Sequence, residues 1–555
     1  MRPDIKSLPI LYASFTLVTI TLAISPFPGF DPFNPIKLVT LTILSFVSLS
    51  ILYYSKIRNF GNRNYIFHST VAFFILWALI SSLTSSGEIN QSFWGVFGRN
   101  NGILAYISMI LIMYFFIAIY QQVLIYWIIG ALSITGFVTA VLILIRGFTV
   151  QNMWLNFQGN YGTLGNINFA SSFLAFSIVS SFHLLYFTWN FSSIWKKILF
   201  IDLLFKIPAL VLTQSLQGII LTFIGIVMYF ALLNFGFLKN IVKSRFTAFL
   251  LPIVVFSLVI LSILNFNTFR PFFGQSLIYR FDYWLAGLRM IEKNPIFGVG
   301  FDSYIDNYRI YRSSSAAEGI SRERFSDSAH NIFIDIGVNG GIPLLTCFMI
   351  INGFIFFYSC KSIFLTQGKD FSFNILFAVW CMYQIQSLIS INQISLSVWN
   401  WAISGILISY GQQRDNVYKV SKSSRRTLKR SALKSIILGV SLGALGFLIS
   451  IKPIRDDARI YNALMGRNGN VIFESVLNRN ATSFHLKKAL NLAIEFNDQF
   501  LATSIISELK SRYPKDVGAW QVIASSNWYS ESEKQSAIYQ LKLLDPQANY
   551  LKSNT

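Results

Sequence analysis

Charge is scarce in this chain. Lys, Arg, Asp and Glu together make up 12% of its 555 residues, about half the share of a soluble globular protein. The negative sign is the scarcer one: 24 acidic residues stand against 45 basic ones, a formal net charge of +21. Four histidines and three cysteines occur, with no CxxC pair. The histidines, His68, His183, His330 and His485, lie far apart in the sequence. Such counts point away from a disulfide framework and from a zinc or other metal site. The basic residues are scattered over many short loops, which argues against nucleic-acid binding.

Apolar residues fill the space that charge leaves. They make up 54% of the chain, with 53 phenylalanines, and the mean hydropathy is +0.53. Apolar stretches of about 17 to 22 residues recur, the length a helix needs to span hydrocarbon. The pattern predicts about thirteen spans, near 9–25, 37–54, 65–83, 103–120, 123–145, 168–188, 197–213, 217–237, 246–265, 331–358, 371–390, 395–411 and 434–451. The fold class is therefore all-α, a polytopic transmembrane bundle of 12–13 spans. Arg2 and Lys6 precede the first apolar run and no clear small-residue cleavage site follows it, so the run reads as a retained span.

Lys and Arg give the spans an orientation. With a cytoplasmic N-terminus, alternate loops hold Lys56, Arg58 and Arg63, then Lys196 and Lys197, then Lys239, Lys243 and Arg245, then Lys361 and Lys369, then a run from Arg414 to Arg430. The opposite loops are mostly poor in both residues, as the positive-inside tendency requires. One outward connection breaks the pattern. Residues 266–330 form a loop of about 65 residues, far longer than the usual link between helices. It carries Arg270, Arg280, Arg289, Arg309, Arg312, Arg322 and Arg324. After residue 451 the chain changes character. Periodic hydrophobicity predicts short amphipathic helices near 484–496, 499–512, 516–527 and 531–542. Their small residues at crossings and the Tyr-Pro punctuation resemble tetratricopeptide helix pairs.

Four places could carry chemistry. Asp202 and Lys206, four residues apart, can pair on one face of a span, either as a self-neutralising couple or as a proton relay. In FWGVFGRNNG, 93–102, Arg99 stands between glycines just before a span, where it can reach an anion at the membrane surface or act as an interfacial anchor. In YGTLGNINFASSF, 161–173, free backbone N–H groups at a helix start favour phosphate. A plain capping turn fits that stretch equally well. In the long loop, YRFDYWLAGLRMIEKNPIFGVGFDSY, 279–304, predicts an amphipathic helix and a glycine-rich turn. SRERFSDSAHNIFIDIGVNGG, 321–341, then leads into a span. His330 is the only histidine at an outward boundary. An imidazole there can take a proton from an attacking hydroxyl, and neighbouring arginines can hold a pyrophosphate.

With these residues the chain resembles the O-antigen ligase superfamily, which also includes O-antigen polymerases and protein O-oligosaccharyltransferases. The resemblance covers roughly residues 90–410. It rests on Gly-Arg-Asn-Asn-Gly at 98–102, Gly-Asn-Ile-Asn at 165–168, Arg-x-x-x-Trp and Pro-x-x-Gly-x-Gly within 280–300, and Ala-His-Asn at 329–331 with Gly340-Gly341 downstream. Ile167 stands where the family often has proline. The resemblance implies a glycosyltransferase of the bacterial inner membrane that uses neither metal nor other cofactor. It would move a glycan from undecaprenyl pyrophosphate to an acceptor, lipid A-core or protein, on the periplasmic face. It implies catalytic roles for His330 and Arg280, and substrate binding by Arg99, Arg289, Arg322, Arg324 and Asn331. The partners would be the lipid-linked donor, the acceptor and membrane lipids, with no nucleic acid. The expected organisation is N-terminal spans over 1–265, a periplasmic catalytic loop over 266–330, further spans over 331–451 and a periplasmic tetratricopeptide-like domain over 452–555. A polymerase of the same superfamily is the nearest alternative. A transporter or lipid flippase is a more distant one.

Overall fold

The computed structural model describes residues 8–55, 64–85, 88–148, 160–187, 193–234, 275–318, 326–415, 432–466, 469–477 and 481–548. Among them are helices and no strand. In chain order these are α1 (Leu8–Leu22), α2 (Asn34–Ser55), α3 (Tyr65–Thr84), α4 (Ile89–Trp94), α5 (Ile103–Ile119), α6 (Gln122–Phe148), α7 (Ile167–Phe187), α8 (Ser193–Leu212) and α9 (Leu216–Leu233). Then come α10 (Gln275–Lys293), α11 (Tyr304–Tyr311), α12 (Ser314–Glu318), α13 (Ile332–Thr366), α14 (Phe371–Ser387), α15 (Ile394–Asp415) and α16 (Ala432–Ser450). The tail adds α17 (Lys452–Met465), α18 (Gly469–Val476), α19 (Ser483–Glu495), α20 (Gln499–Arg512), α21 (Val517–Ser525) and α22 (Glu531–Leu544).

Seven of these helices are long and apolar enough to cross a membrane: α2, α3, α6, α7, α9, α13 and α16. Two more, α1 and α5, are apolar but shorter. Helices also form at three further predicted spans, α8, α14 and α15, whose apolar runs are diluted by polar residues. Helix α8 carries Lys196, Lys197, Asp202 and Lys206. Helices α14 and α15 bury Asn374, Gln386, Asn400 and Gln412, which suits interior positions packed on other helices. The thirteenth predicted span, 246–265, lies outside the described residues.

The outside of the bundle is as apolar as its core. Leu83, Phe223, Val440 and Leu448 are all well exposed. Water would not tolerate so broad an apolar surface, and hydrocarbon requires it. Helix α16 lies along α2, and α15 packs on α5.

The span predicted from residue 331 is not one straight helix. Its backbone leaves helical geometry at Gly340 and Gly341, so a short segment precedes the long one. Gly341 has φ +69°, and a Cβ on it would sit 2.4 Å from the Pro295 carbonyl oxygen. That closeness is used: the Ile342 N–H donates to the Pro295 carbonyl (2.7 Å) and the Val299 N–H to the Val338 carbonyl (2.8 Å). The Ser81 hydroxyl oxygen lies 2.6 Å from the Phe297 carbonyl oxygen and 2.5 Å from that of Asn339, so its one proton is shared between them. The Pro-x-x-Gly-x-Gly turn and the Gly-Gly break therefore clasp each other against α3, which holds α10 beside the start of α13.

The tail is helical where its periodicity predicts, and two further helices, α17 and α18, precede those four. It has its own core, with Ile460, Leu464, Ile472, Leu486, Leu490, Ile505 and Leu509 buried together. Caps fix its helix starts. The Thr482 and Ser530 side chains both form capping boxes, the first with His485 and the second with Glu533.

Candidate functional site

The N-terminal ends of α5, α13 and α15 meet at one end of the bundle, and the segments before them form the site. The turn from Gly95 to Gly102 comes first. Gly95 has φ +91°, and a Cβ there would lie 2.4 Å from the Asn101 nitrogen, so only glycine lets the turn close. The Arg99 and Asn100 N–H groups both donate to the Val96 carbonyl, at 3.1 and 3.0 Å. Asn101 donates through its amide to the Asn392 carbonyl. The Asn392 side chain in turn donates to the Tyr106 hydroxyl (3.1 Å) and accepts from the Tyr383 hydroxyl (3.3 Å). This network pins the turn to α14 and to the segment before α15. It gives Asn392 a concrete structural part.

The turn carries Arg99 into a nest of carboxylates. Its side chain is 8% exposed, and its Nε lies 2.9 Å from Asp327 Oδ2. One terminal nitrogen also donates to the Asp327 backbone carbonyl. Asp302 and Asp335 act on the same guanidinium through space. Asp302 Oδ2 accepts from the Val96 N–H at 2.6 Å, and Asp335 Oδ1 accepts from the Ala329 N–H at 2.7 Å. Burial pushes the Asp302 carboxyl up, while Arg99 and the Val96 N–H favour its charged form.

His330 sits at the rim of this nest with φ +55°. Its N–H donates to the Ser328 hydroxyl at 3.0 Å. Its Nδ1 lies 3.2 Å from that hydroxyl and 3.4 Å from the Ser328 carbonyl. A carbonyl can only accept, so the tautomer protonated on Nδ1 satisfies both contacts and leaves the Nε2 lone pair free. Burial holds the imidazole below its usual proton affinity. Asp327 opposes that shift, and Arg99 and Arg280 add to it. The ring of Tyr283 lies 5.4 Å from that of His330.

The candidate residues read from the sequence divide into groups. Arg99 and Arg280 both act electrostatically on His330. Asn331 stands next to His330, but its side-chain oxygen caps α13 by accepting from the Phe333 and Ile334 N–H groups (3.0 and 3.2 Å). Arg289 points to the end of α11, where it donates to the Tyr311 carbonyl at 3.2 Å. Arg322 and Arg324 lie outside the described residues, as does Arg270. Two other loop arginines hold the tail. Arg312 grips Asp545 with two bonds of 2.9 and 2.6 Å, and Arg309 reaches the same carboxylate at 3.1 Å. Asp202 and Lys206 form a buried pair at 2.7 Å, with Ser133 and Ser181 beside it, which favours the self-neutralising reading.

Sequence reasoning missed the carboxylates Asp302 and Asp335 and gave Asp327 no role. The available signal was the scarcity of acidic residues, of which Asp327 falls just before a predicted span and Asp335 just inside it. It also missed Lys37, fully buried with its ammonium donating to the Thr163 carbonyl at 2.5 Å. That bond gives the 161–168 turn an anchor on α2. Among the described residues, no group of three His, Cys, Asp or Glu side chains is placed to hold a metal ion.

Fold and site together define a polytopic helical membrane protein with an arginine and a histidine grouped at one end of its bundle. Residues 203–349 match the family described as O-antigen ligase, a stretch that includes Arg280, the glycine turn, His330 and the Gly-Gly break. That match supports a place for the chain in the O-antigen ligase superfamily and a membrane glycosyltransferase of ligase or polymerase type. No curated protein matches the chain.

Proposed function

We propose that this protein transfers a glycan from a polyprenyl pyrophosphate, undecaprenyl pyrophosphate in bacteria, to an acceptor hydroxyl or amine at the periplasmic face of the inner membrane. The pairing of Arg99 with Asp327, and the action of Arg99, Arg280 and Asp327 together on His330, carries this reading. In it the acceptor oxygen attacks the anomeric carbon and its proton passes to His330 Nε2. The bond from the anomeric carbon to the phosphate oxygen breaks, and the electron pair leaves on the pyrophosphate. Arg280 and Arg99 stabilise that developing charge, and a guanidinium suits the task because its donors are fixed in a plane. The donor's lipid enters from the bilayer, and the positive-inside pattern supports an outward-facing site. Ligase and polymerase share this chemistry and differ in acceptor, lipid A-core or protein in one case and a growing glycan in the other. The tail sits over the same end of the bundle, through Arg512 and Glu88 at 2.6 Å, and its helix pairs offer a surface for acceptor recruitment.

The test is transfer by the purified protein in nanodiscs, read as release of polyprenyl pyrophosphate from a lipid-linked glycan. Arg280→Ala and His330→Ala should each lower turnover about 100-fold or more while the protein stays folded. Full turnover in both variants would overturn the assignment.

A further inference from the structure

Three carboxylates surround Arg99, and they are not held alike. Asp302 is tied by the Val96 N–H and Asp335 by the Ala329 N–H, at 2.6 and 2.7 Å. Both are therefore fixed parts of the wall. Among the described residues, no backbone N–H donates to the Asp327 carboxylate. Its one direct partner among the described residues is Arg99, and its side chain is 34% exposed where Arg99 is 8% exposed. Asp327 thus lies between the guanidinium and solvent. The contact is also imperfect: Nε is 2.9 Å from Oδ2, yet no hydrogen bond is aligned between them. A buried guanidinium N–H left without an aligned acceptor is costly, and a better-placed anion would relieve it.

We infer that Asp327 is an exchangeable counter-ion, which covers Arg99 in the empty site, gives way to the donor's pyrophosphate and returns as the lipid pyrophosphate product leaves. This rests on the reading of Arg99 as a pyrophosphate-binding residue. Such a movement lowers the like-charge repulsion that an incoming phosphate meets at Arg99. A phosphate meeting Arg99 beside a fixed Asp327 would face a like charge at contact distance, which costs binding strongly. An aspartate held by one ion pair can swing aside. On the way out it offers the arginine a replacement anion, so product release needs no bare buried cation. Asp327 is on this account a positioning residue for donor entry and product exit. It differs from the base and from the arginines that hold the leaving group.

The test uses the full chain in nanodiscs with farnesyl pyrophosphate as probe. Asp327→Asn should bind the probe about tenfold tighter or more, Asp327→Glu should stay near the wild type, and Arg99→Gln should bind most weakly. In turnover with a lipid-linked glycan, Asp327→Asn should lower both KM and kcat, the signature of tight binding with slow product release. Equal or weaker binding by Asp327→Asn, with wild-type binding intact, overturns the inference alone. No binding by the wild type overturns the pyrophosphate reading of the site and this inference with it.

Discussion

His330 holds a backbone conformation that few residues other than glycine adopt, with φ +55°. Histidine is among the side chains enriched there, and the geometry turns Nδ1 back toward Ser328. Its lowered proton affinity gives the site a direction in pH. The neutral imidazole is the form that accepts a proton, so activity should fall as pH drops and His330 becomes charged. Because burial and the neighbouring arginines move the transition below the ordinary value of about 6.5, the acid limb of a kcat/KM profile should lie below that pH. A limb above it would contradict the neutral-base assignment. At this scale the sequence was informative about cations and poor about anions. His330 and Arg280 stood out because an outward loop had no topological need of them. Asp302 and Asp327 had no role in the sequence reading, and the fold alone brings their carboxylates to Arg99 from positions more than 200 residues away in the chain.

The elements that frame the site were legible to different depths. Spans follow from length and hydropathy, so α2, α3, α6, α7, α9, α13 and α16 fall where predicted. The break inside α13 leaves no hydropathy signal, because Gly340 and Gly341 replace a helical turn without changing its polarity. The tail helices α19 to α22 begin at side-chain caps that the sequence displays openly. Helix α17 was hidden because it follows α16 with only Ile451 between them. The docking of α22 could not be read at all, since it depends on Arg312 and Asp545, both fully buried and far apart in sequence. Removing one partner of such a pair strands the other charge without water, at a cost of about 3–5 kcal/mol. Asp545→Ala should therefore loosen the tail and raise its rate of tryptic cleavage from the folded protein. Glu531→Ala should not, because Glu531 is largely exposed and such a surface pair contributes about 1 kcal/mol or less. Equal cleavage rates in the two variants would remove the tail's anchor from Arg312.

As a whole the molecule separates its two ends. One holds Arg99, Asp302, Asp327, His330 and the tail. The other holds a smaller polar set in which Asp370 accepts from Gln122 (3.0 Å) and from the Tyr410 hydroxyl (2.6 Å). Between them lies a belt of exposed apolar side chains that only a membrane would accept. Composition alone implied the belt, and the distribution of Lys and Arg implied its orientation. The convergence of loop, turn and tail on one end needed the fold. The proposed function requires that this end work on a lipid-linked glycan in the cell. The most direct measurement is the glycan profile of cells deleted for this chain and complemented with the wild type or with His330→Ala. The account predicts that deletion causes lipid-linked glycan to accumulate and its acceptor-linked form to disappear, with rescue by the wild type and none by His330→Ala. An unchanged profile on deletion, or full rescue by His330→Ala, would contradict it.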